Sequence, residues 1–215
     1  MLKYALFDLD GTISKSGIGI KNSIRYALKK FGIKKASEDK LSLMIGPPLV
    51  DGFMEFFGFS KDDAITATAY YREYYSTKGK FETEIYDGVL ELLRELKESG
   101  VKLIVCTSKP QGYTEEILAH FGLDKYFHHV LGATLDGKLG EKDEIIALAI
   151  EKFGIEKDSA VMIGDRKFDI EGATKNGIKG IGVSYGYGNE DELKNANAFA
   201  LAKSALELKE ILYSL

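Results

Sequence analysis

Phe7-Asp8-Leu9-Asp10-Gly11-Thr12 is the stretch on which the reading of this chain turns. It grows out of Tyr4-Ala5-Leu6-Phe7, an apolar run that reads as a buried strand. Side chains two apart on an extended chain share a face, so Asp8 and Asp10 are expected side by side where the strand ends. Gly11 lets the chain turn at once. Two carboxylates held that close repel each other unless a cation or a shared proton intervenes. An oxygen-rich, partly open site suits Mg²⁺, which binds through a few carboxylates and keeps waters or phosphate oxygens as its other ligands. The plainer alternative is a solvated acidic turn, because Asp-Gly is a common turn pair.

Outward from this stretch the chain alternates strand and helix signals, the pattern of parallel β/α units. The alternation is interrupted once. From about Ser14 to Thr83 only helical spacing is seen, with Ile20, Ile24, Ala27, Leu28 and Phe31 forming one apolar stripe stopped by Gly32. Pro47-Pro48 breaks this block, and a further helix is expected over Lys61 to Ser76, with Ser60 as its N-cap. After Tyr86-Asp87-Gly88 the alternation resumes. Helices are expected over Val89–Glu98, Gly112–Phe121, Lys142–Phe153, Asp169–Asn176 and Ser204–Leu212. Strands are expected over Val101–Cys106, Val130–Ala133, Ala160–Ile163 and Gly180–Val183. The fold class that follows is α/β: a Rossmann-like parallel sheet flanked by helices, residues 1–13 and 84–215, with an inserted all-helical segment, residues 14–83.

Parallel sheets bind ligands at the carboxyl ends of their strands. The residues expected there are Asp8 and Asp10, then Thr107 and Ser108, then Gly164 and Asp165. Val161-Met162-Ile163-Gly164-Asp165 repeats the first logic, an apolar strand delivering an acid at its tip. Asp169, four residues on, is a helix N-cap candidate that can also orient a metal ligand. Thr107 and Ser108 follow Leu103-Ile104-Val105-Cys106. Their hydroxyls and backbone N–H groups suit phosphate oxygens, as helix N-termini do, although an ordinary strand-to-helix turn reads the same way. Lys142 stands where a helix begins and suits a phosphate as a compact point charge, with Lys138 as its nearest competitor.

The chain has 215 residues, 45% of them hydrophobic, enough for one sizeable α/β domain with a smaller insertion. The net charge of −4 argues against a nucleic-acid polymer as partner, whose footprint is a basic patch. No run approaches the roughly 18 apolar residues of a membrane helix, and the N-terminal residues show no signal-peptide pattern. Cys106 is the single cysteine, so no intrachain disulfide can form. A cytoplasmic location is the natural expectation. The histidines His120, His128 and His129 show no metal-ligand spacing. Tyr70-Tyr71-Arg72-Glu73-Tyr74-Tyr75 reads as helix packing rather than base stacking, and Gly186-Tyr187-Gly188 as a flexible loop near the site.

Together these segments resemble the haloacid dehalogenase superfamily of phosphotransferases, over essentially the whole chain. Phe7-Asp8-Leu9-Asp10-Gly11-Thr12 resembles its first motif, Thr107 its second, Lys142 its third, and Gly164-Asp165 through Asp169 its fourth. Thr107-Ser108-Lys109-Pro110, Gly164-Asp165-Arg166-Lys167-Phe168-Asp169 and Gly182-Val183-Ser184-Tyr185-Gly186-Tyr187-Gly188 resemble the phosphoglycolate phosphatase-like branch, in which a helical cap is inserted just after the first strand.

The resemblance implies a Mg²⁺-dependent phosphatase acting on a small-molecule phosphate monoester, of the phosphoglycolate or nucleoside monophosphate (5'-nucleotidase) class. Asp8 would be the nucleophile that becomes an aspartyl-phosphate and Asp10 the general acid and base. Asp8, the Asp10 backbone carbonyl and Asp165 would hold the metal, Thr107 and Lys142 the phosphoryl oxygens. Gly46, Arg25 and Arg72 are candidate substrate selectors in the cap, the arginines reading equally as a solvated helix face. Alternatives are a phosphomutase acting on a sugar phosphate and an inactive ligand-binding regulator. Thr12 fits the phosphatase pattern better, because related mutases often have an apolar residue there.

Overall fold

The computed structural model describes residues 1–136 and 138–215. They form two compact units, Met1–Lys15 with Ile85–Leu215, and Ser16–Glu84. Ser14 stays with the first unit because it is bridged to both Asp10 and Ile85, and its carbonyl accepts from Gly11 N–H at 2.8 Å.

In chain order the elements are β1 (Tyr4–Phe7), α1 (Gly17–Lys30), α2 (Glu38–Leu43), α3 (Leu49–Phe57), α4 (Lys61–Tyr75), α5 (Val89–Glu98), β2 (Lys102–Pro110) and α6 (Gln111–His120). There follow β3 (His129–Ala133), α7 (Lys142–Phe153), β4 (Ala160–Gly164), α8 (Lys167–Lys175), β5 (Lys179–Val183), α9 (Glu190–Asn195), β6 (Ala200–Ala202) and α10 (Ala205–Tyr213).

In the first unit six strands make one sheet in the order β3-β2-β1-β4-β5-β6, and every pairing is parallel. β1 is central, with Phe7 level with Val105 on one side and Ile163 on the other. Its period of two feeds two cores. Ala5 and Phe7 join Leu92, Leu93 and Leu96 of α5 and Leu208 of α10, while Tyr4 and Leu6 join Ile145, Ile146 and Ala149 of α7 and Ala173 of α8. Burying a side chain such as Phe7 or Leu6 contributes about 1.5–3 kcal/mol. The chain runs from β1 outward to β2 and β3, then crosses back to β4 on the other side of β1, so a crevice opens at the carboxyl ends of β1, β2 and β4.

The second unit is helical. The α1 stripe buries Ile20, Ile24, Ala27 and Leu28, and Phe31 follows as the C-cap, its ring 4.8 Å from that of Phe59. Gly19 has to be glycine, because a Cβ there would lie 1.8 Å from the Gly79 carbonyl oxygen. The break at Pro47-Pro48 separates α2 from α3. Ser60 caps α4, its hydroxyl accepting from Asp63 N–H at 3.1 Å. The tyrosine run packs within the unit: Tyr71 and Tyr75 stack at 5.2 Å, and Tyr26 lies 5.6 Å from Tyr74.

Two expected elements are displaced. The strand expected over Val101–Cys106 runs on to Pro110, with a register shift between Thr107 and Pro110. The helix expected from Asp169 starts two residues earlier, at Lys167. α9 and β6 were not anticipated. Each is short, and the Ala200-Leu201-Ala202 strand has no β-branched residue to signal it. Among the described residues no helix is long and apolar enough to cross a membrane.

Candidate active site

β1 delivers Asp8 directly after Phe7, and the Asp8 backbone N–H still donates to the Ile163 carbonyl at 2.9 Å. Gly11, at φ +81°, then turns the chain. A Cβ on Gly11 would lie 2.1 Å from an Asp165 carboxylate oxygen, so this glycine allows the first and fourth strand tips to approach. β4 ends at Gly164, whose missing Cβ leaves the space that the Asp169 carboxyl fills.

Lys142, the first residue of α7, reaches into this crevice. Its Nζ lies 2.8 Å from Asp8 Oδ1 and 2.8 Å from Asp169 Oδ1, and donates to the Cys106 carbonyl at 3.2 Å. Burial alone would lower the Lys142 pKa, but the Asp169 and Asp8 charges outweigh it and hold the ammonium protonated above its ordinary range. Its competitor Lys138 is exposed and pairs with Asp136 at 3.1 Å. Cys106, fully buried, has its thiol pushed up to about 12 by burial, so it stays neutral.

Asp165 has no exposed surface. One of its oxygens accepts the Tyr187 N–H at 2.7 Å; the other, Oδ1, is buried without a hydrogen-bond donor among the described residues. Burial first, and then the Asp169 and Asp8 charges, raise its pKa well above the carboxylate range. Asp8, Asp165 and Asp169 each offer an oxygen to a common point, these atoms lying within 4.8 Å of one another. Asp169 is not the N-cap expected of it. It is the third residue of α8, and its Oδ2 reaches back to accept the Arg166 N–H at 3.1 Å. With Oδ1 on Lys142 it is committed on both sides, and burial raises its pKa to about 6.

The Asp10 carboxylate, which strand periodicity sets beside Asp8, has a cation of its own. It pairs with Lys109, whose Nζ lies 2.6 Å from Asp10 Oδ2. Lys109 stands within a motif singled out from the sequence, but no part in the site was expected of it. A cation two residues past Thr107, at a strand tip already assigned to anion binding, is the signal that could have found it. Thr107 is buried, and its Oγ1 accepts the Lys109 N–H at 3.2 Å, whereas Ser108 is exposed.

The loop after β5 is packed rather than loose. A Cβ on Gly186 would lie 2.3 Å from the Gly11 carbonyl oxygen, and one on Gly188 2.0 Å from that of Asp165. Tyr185 donates its hydroxyl to the Thr12 carbonyl at 3.0 Å. This loop supplies the Tyr187 N–H, a backbone donor no side-chain pattern announces.

The candidate selectors all lie in the second unit. Arg25 is exposed, donates to Asn22 Oδ1 at 3.1 Å and pairs with Glu38. Arg72 is exposed on α4, and Gly46 is exposed at φ +113° between α2 and α3.

Four carboxylates, Asp8, Asp10, Asp165 and Asp169, thus face two ammonium groups, Lys109 and Lys142. The Arg166 guanidinium beside them is turned to Glu192 at 2.8 Å. With all four ionised these pairs leave two negative charges uncompensated, and a buried oxygen of Asp165 lacks a donor among the described residues. A hard divalent cation with oxygen ligands fits both observations.

The chain has relatives that match it over nearly its whole length. A 5'-nucleotidase of Pseudomonas aeruginosa is 39% identical over 209 residues, 97% of this chain and 95% of that protein. The tyrosine-protein kinase PtkA of Mycobacterium tuberculosis is 35% identical over 96% of this chain and 71% of its own length. The crystal structure of a predicted phosphatase from Clostridium acetobutylicum superposes with a TM-score of 0.95 at 45% identity, covering 100% of both chains. The family model of haloacid dehalogenase-like hydrolases matches residues 5–183, which takes in both acidic strand tips and Lys142, and the chain belongs to that family.

Proposed function

We propose that this protein is a Mg²⁺-dependent phosphatase that hydrolyses a small-molecule phosphate monoester, of the nucleoside monophosphate or phosphoglycolate class, through an aspartyl-phosphate at Asp8. The observation that carries the reading is the Asp8 carboxylate at the tip of the central strand, paired with Lys142 beside the donor-less Asp165 oxygen.

Asp8 and Asp165 would hold the cation, with the Asp10 backbone carbonyl, and Asp169 would fix Lys142 in place beside it. Bound there, Mg²⁺ neutralises phosphate charge and lets two anions meet. An Asp8 oxygen attacks phosphorus in line, the bond from phosphorus to the ester oxygen breaks, and Asp10 gives that oxygen its proton. Asp10, now a carboxylate, takes a proton from water as the water oxygen attacks phosphorus. The phosphorus–Asp8 bond breaks, releasing phosphate and restoring Asp8. Lys142, and the Thr107 hydroxyl with backbone N–H groups after β2, stabilise the equatorial oxygens as charge builds on them. The helical unit, residues 16–84, acts as a cap that selects the substrate.

The test is phosphate release with Mg²⁺ across nucleoside monophosphates, phosphoglycolate and sugar phosphates, with Asp8→Asn as the control. One substrate well above the rest, and no release from the folded Asp8→Asn protein, supports the reading. Release that survives Asp8→Asn overturns it. A phosphoryl group that passes from Asp8 to a sugar or to a tyrosine hydroxyl instead of water would replace hydrolysis by transfer, with the same first step.

A further inference from the structure

The proposed chemistry asks Asp10 to serve twice, first giving a proton to the leaving oxygen and then taking one from water. Nothing in that role explains why its carboxylate is held by a lysine that is itself almost completely buried. The Lys109 side chain is 5% exposed and that of Asp10 21%. Enclosing a lysine is unfavourable unless its ammonium is matched by an anion and hydrogen bonds.

The backbone around Lys109 is correspondingly built. Parallel pairing of β2 with β3 slips between Thr107 and Pro110, and the Lys109 N–H turns inward to Thr107 Oγ1 at 3.2 Å. Gly132 of β3 lies under the slip, since a Cβ there would come within 2.7 Å of the Lys109 carbonyl oxygen and 2.8 Å of Gln111 N. Gln111, the first residue of α6, ties the slip to the edge strand β3, accepting from Gly132 N–H at 2.6 Å and donating to the Val130 carbonyl at 3.0 Å. Regular strand continuation would place Lys109 on the face of Thr107 and Val105. The register shift falls at Lys109, and irregularities of this kind next to active sites re-aim side chains.

We infer that Lys109 is a positioning residue, which holds the Asp10 carboxylate at the place where it meets the leaving oxygen and the attacking water. The inference rests on the phosphatase reading above. The strand slip, Gly132 and Gln111 then act together to bring an ammonium group to the second aspartate while Lys142 serves the first. A lysine gives this contact a single cation on a flexible stem, so Asp10 can be held without a rigid fork blocking the ester.

A positioning role has a kinetic signature that a structural one lacks. An alkyl phosphate has a poor leaving group, so its first step depends on a well-placed acid. p-Nitrophenyl phosphate has a good one, and its first step hardly does. Both substrates give the same phosphoenzyme, whose breakdown needs Asp10 as base.

The experiment is rapid-mixing kinetics with Mg²⁺ on the full chain and its Lys109→Met variant. The substrates are p-nitrophenyl phosphate and the best alkyl phosphate from the substrate panel. Expected for Lys109→Met is a p-nitrophenolate burst within about threefold of the parent. The steady-state rate and the alkyl phosphate kcat should fall about tenfold or more, part of the 10²–10⁴ that general acid–base catalysis supplies; KM for the alkyl phosphate should change little, while KM for p-nitrophenyl phosphate falls with its steady-state rate and leaves kcat/KM nearly unchanged. Equal loss in the burst and alkyl steps, a change in KM alone, or no change overturns the inference. If Lys109→Met does not fold, Lys109→Arg, which keeps the charge and moves it, must show the same split with a smaller loss. A parent protein with neither burst nor phosphate release would instead refute the phosphatase reading itself.

Discussion

Asp165 shows how a buried charge reports its missing partner. Its pKa is raised by burial and by the neighbouring Asp169 and Asp8 charges, and that of Asp169 is raised to about 6. A carboxyl with a raised folded pKa binds its proton more tightly folded than unfolded. Its contribution to stability is therefore complete at acid pH and is lost as pH rises through the folded value. Metal-free Asp165→Asn should melt above the parent at alkaline pH, by roughly 3 °C or more, with the gap closing as pH falls toward the ordinary carboxylate range. Mg²⁺ should raise the melting temperature of the parent and not of Asp165→Asn. Thermal denaturation with and without Mg²⁺ across this range checks both. Lys142 is the opposite case. Its removal leaves Asp8 and Asp169 buried without their cation. Lys142→Met should cost about 3 kcal/mol in denaturant unfolding at neutral pH and abolish phosphate release.

At the scale of elements, close approaches between strand tips and loops set the geometry. Gly164→Ala would place a Cβ 2.0 Å from Asp169 Cγ. Since Asp169 is tied to both Arg166 N–H and Lys142, it cannot step aside cheaply, and a loss of about 3 kcal/mol with a fall in kcat is expected from unfolding and turnover measurements. Ser60→Ala removes only the cap of α4. It should cost about 1 kcal/mol and leave kcat for p-nitrophenyl phosphate unchanged.

Elements of this kind were legible where the sequence carries strong local signals. The apolar run at Tyr4–Phe7, the helix over Lys142–Phe153 and the Ser60 cap all follow from periodicity and cap chemistry. Asp8, Lys142, Asp165 and Asp169 were expected at one end of the sheet, and the structure gathers them there. What escaped notice depends on tertiary approach. Lys109 turns inward because of a register slip against β3, the Tyr187 N–H comes from a loop wedged against Gly11, and Asp169 sits one turn inside α8 because Arg166 takes the cap position. Periodicity describes one element at a time and carries none of these.

At the scale of the whole molecule, the groups proposed for the chemistry belong to the first unit, and the candidate selectors to the second. That division separates what can be tested without knowing the natural substrate from what cannot. On the proposed mechanism the covalent step would need only an activated phosphate ester, Mg²⁺ and the first unit's residues. The most direct measurement is to quench the protein with borohydride during turnover of p-nitrophenyl phosphate and map the modified residue by peptide mass spectrometry. An acyl phosphate is reduced to the alcohol, so homoserine in place of Asp8, absent without substrate, is the expected result. Turnover with Asp8 unmodified, or with the modification at another carboxylate, would contradict the assignment of Asp8 as the nucleophile.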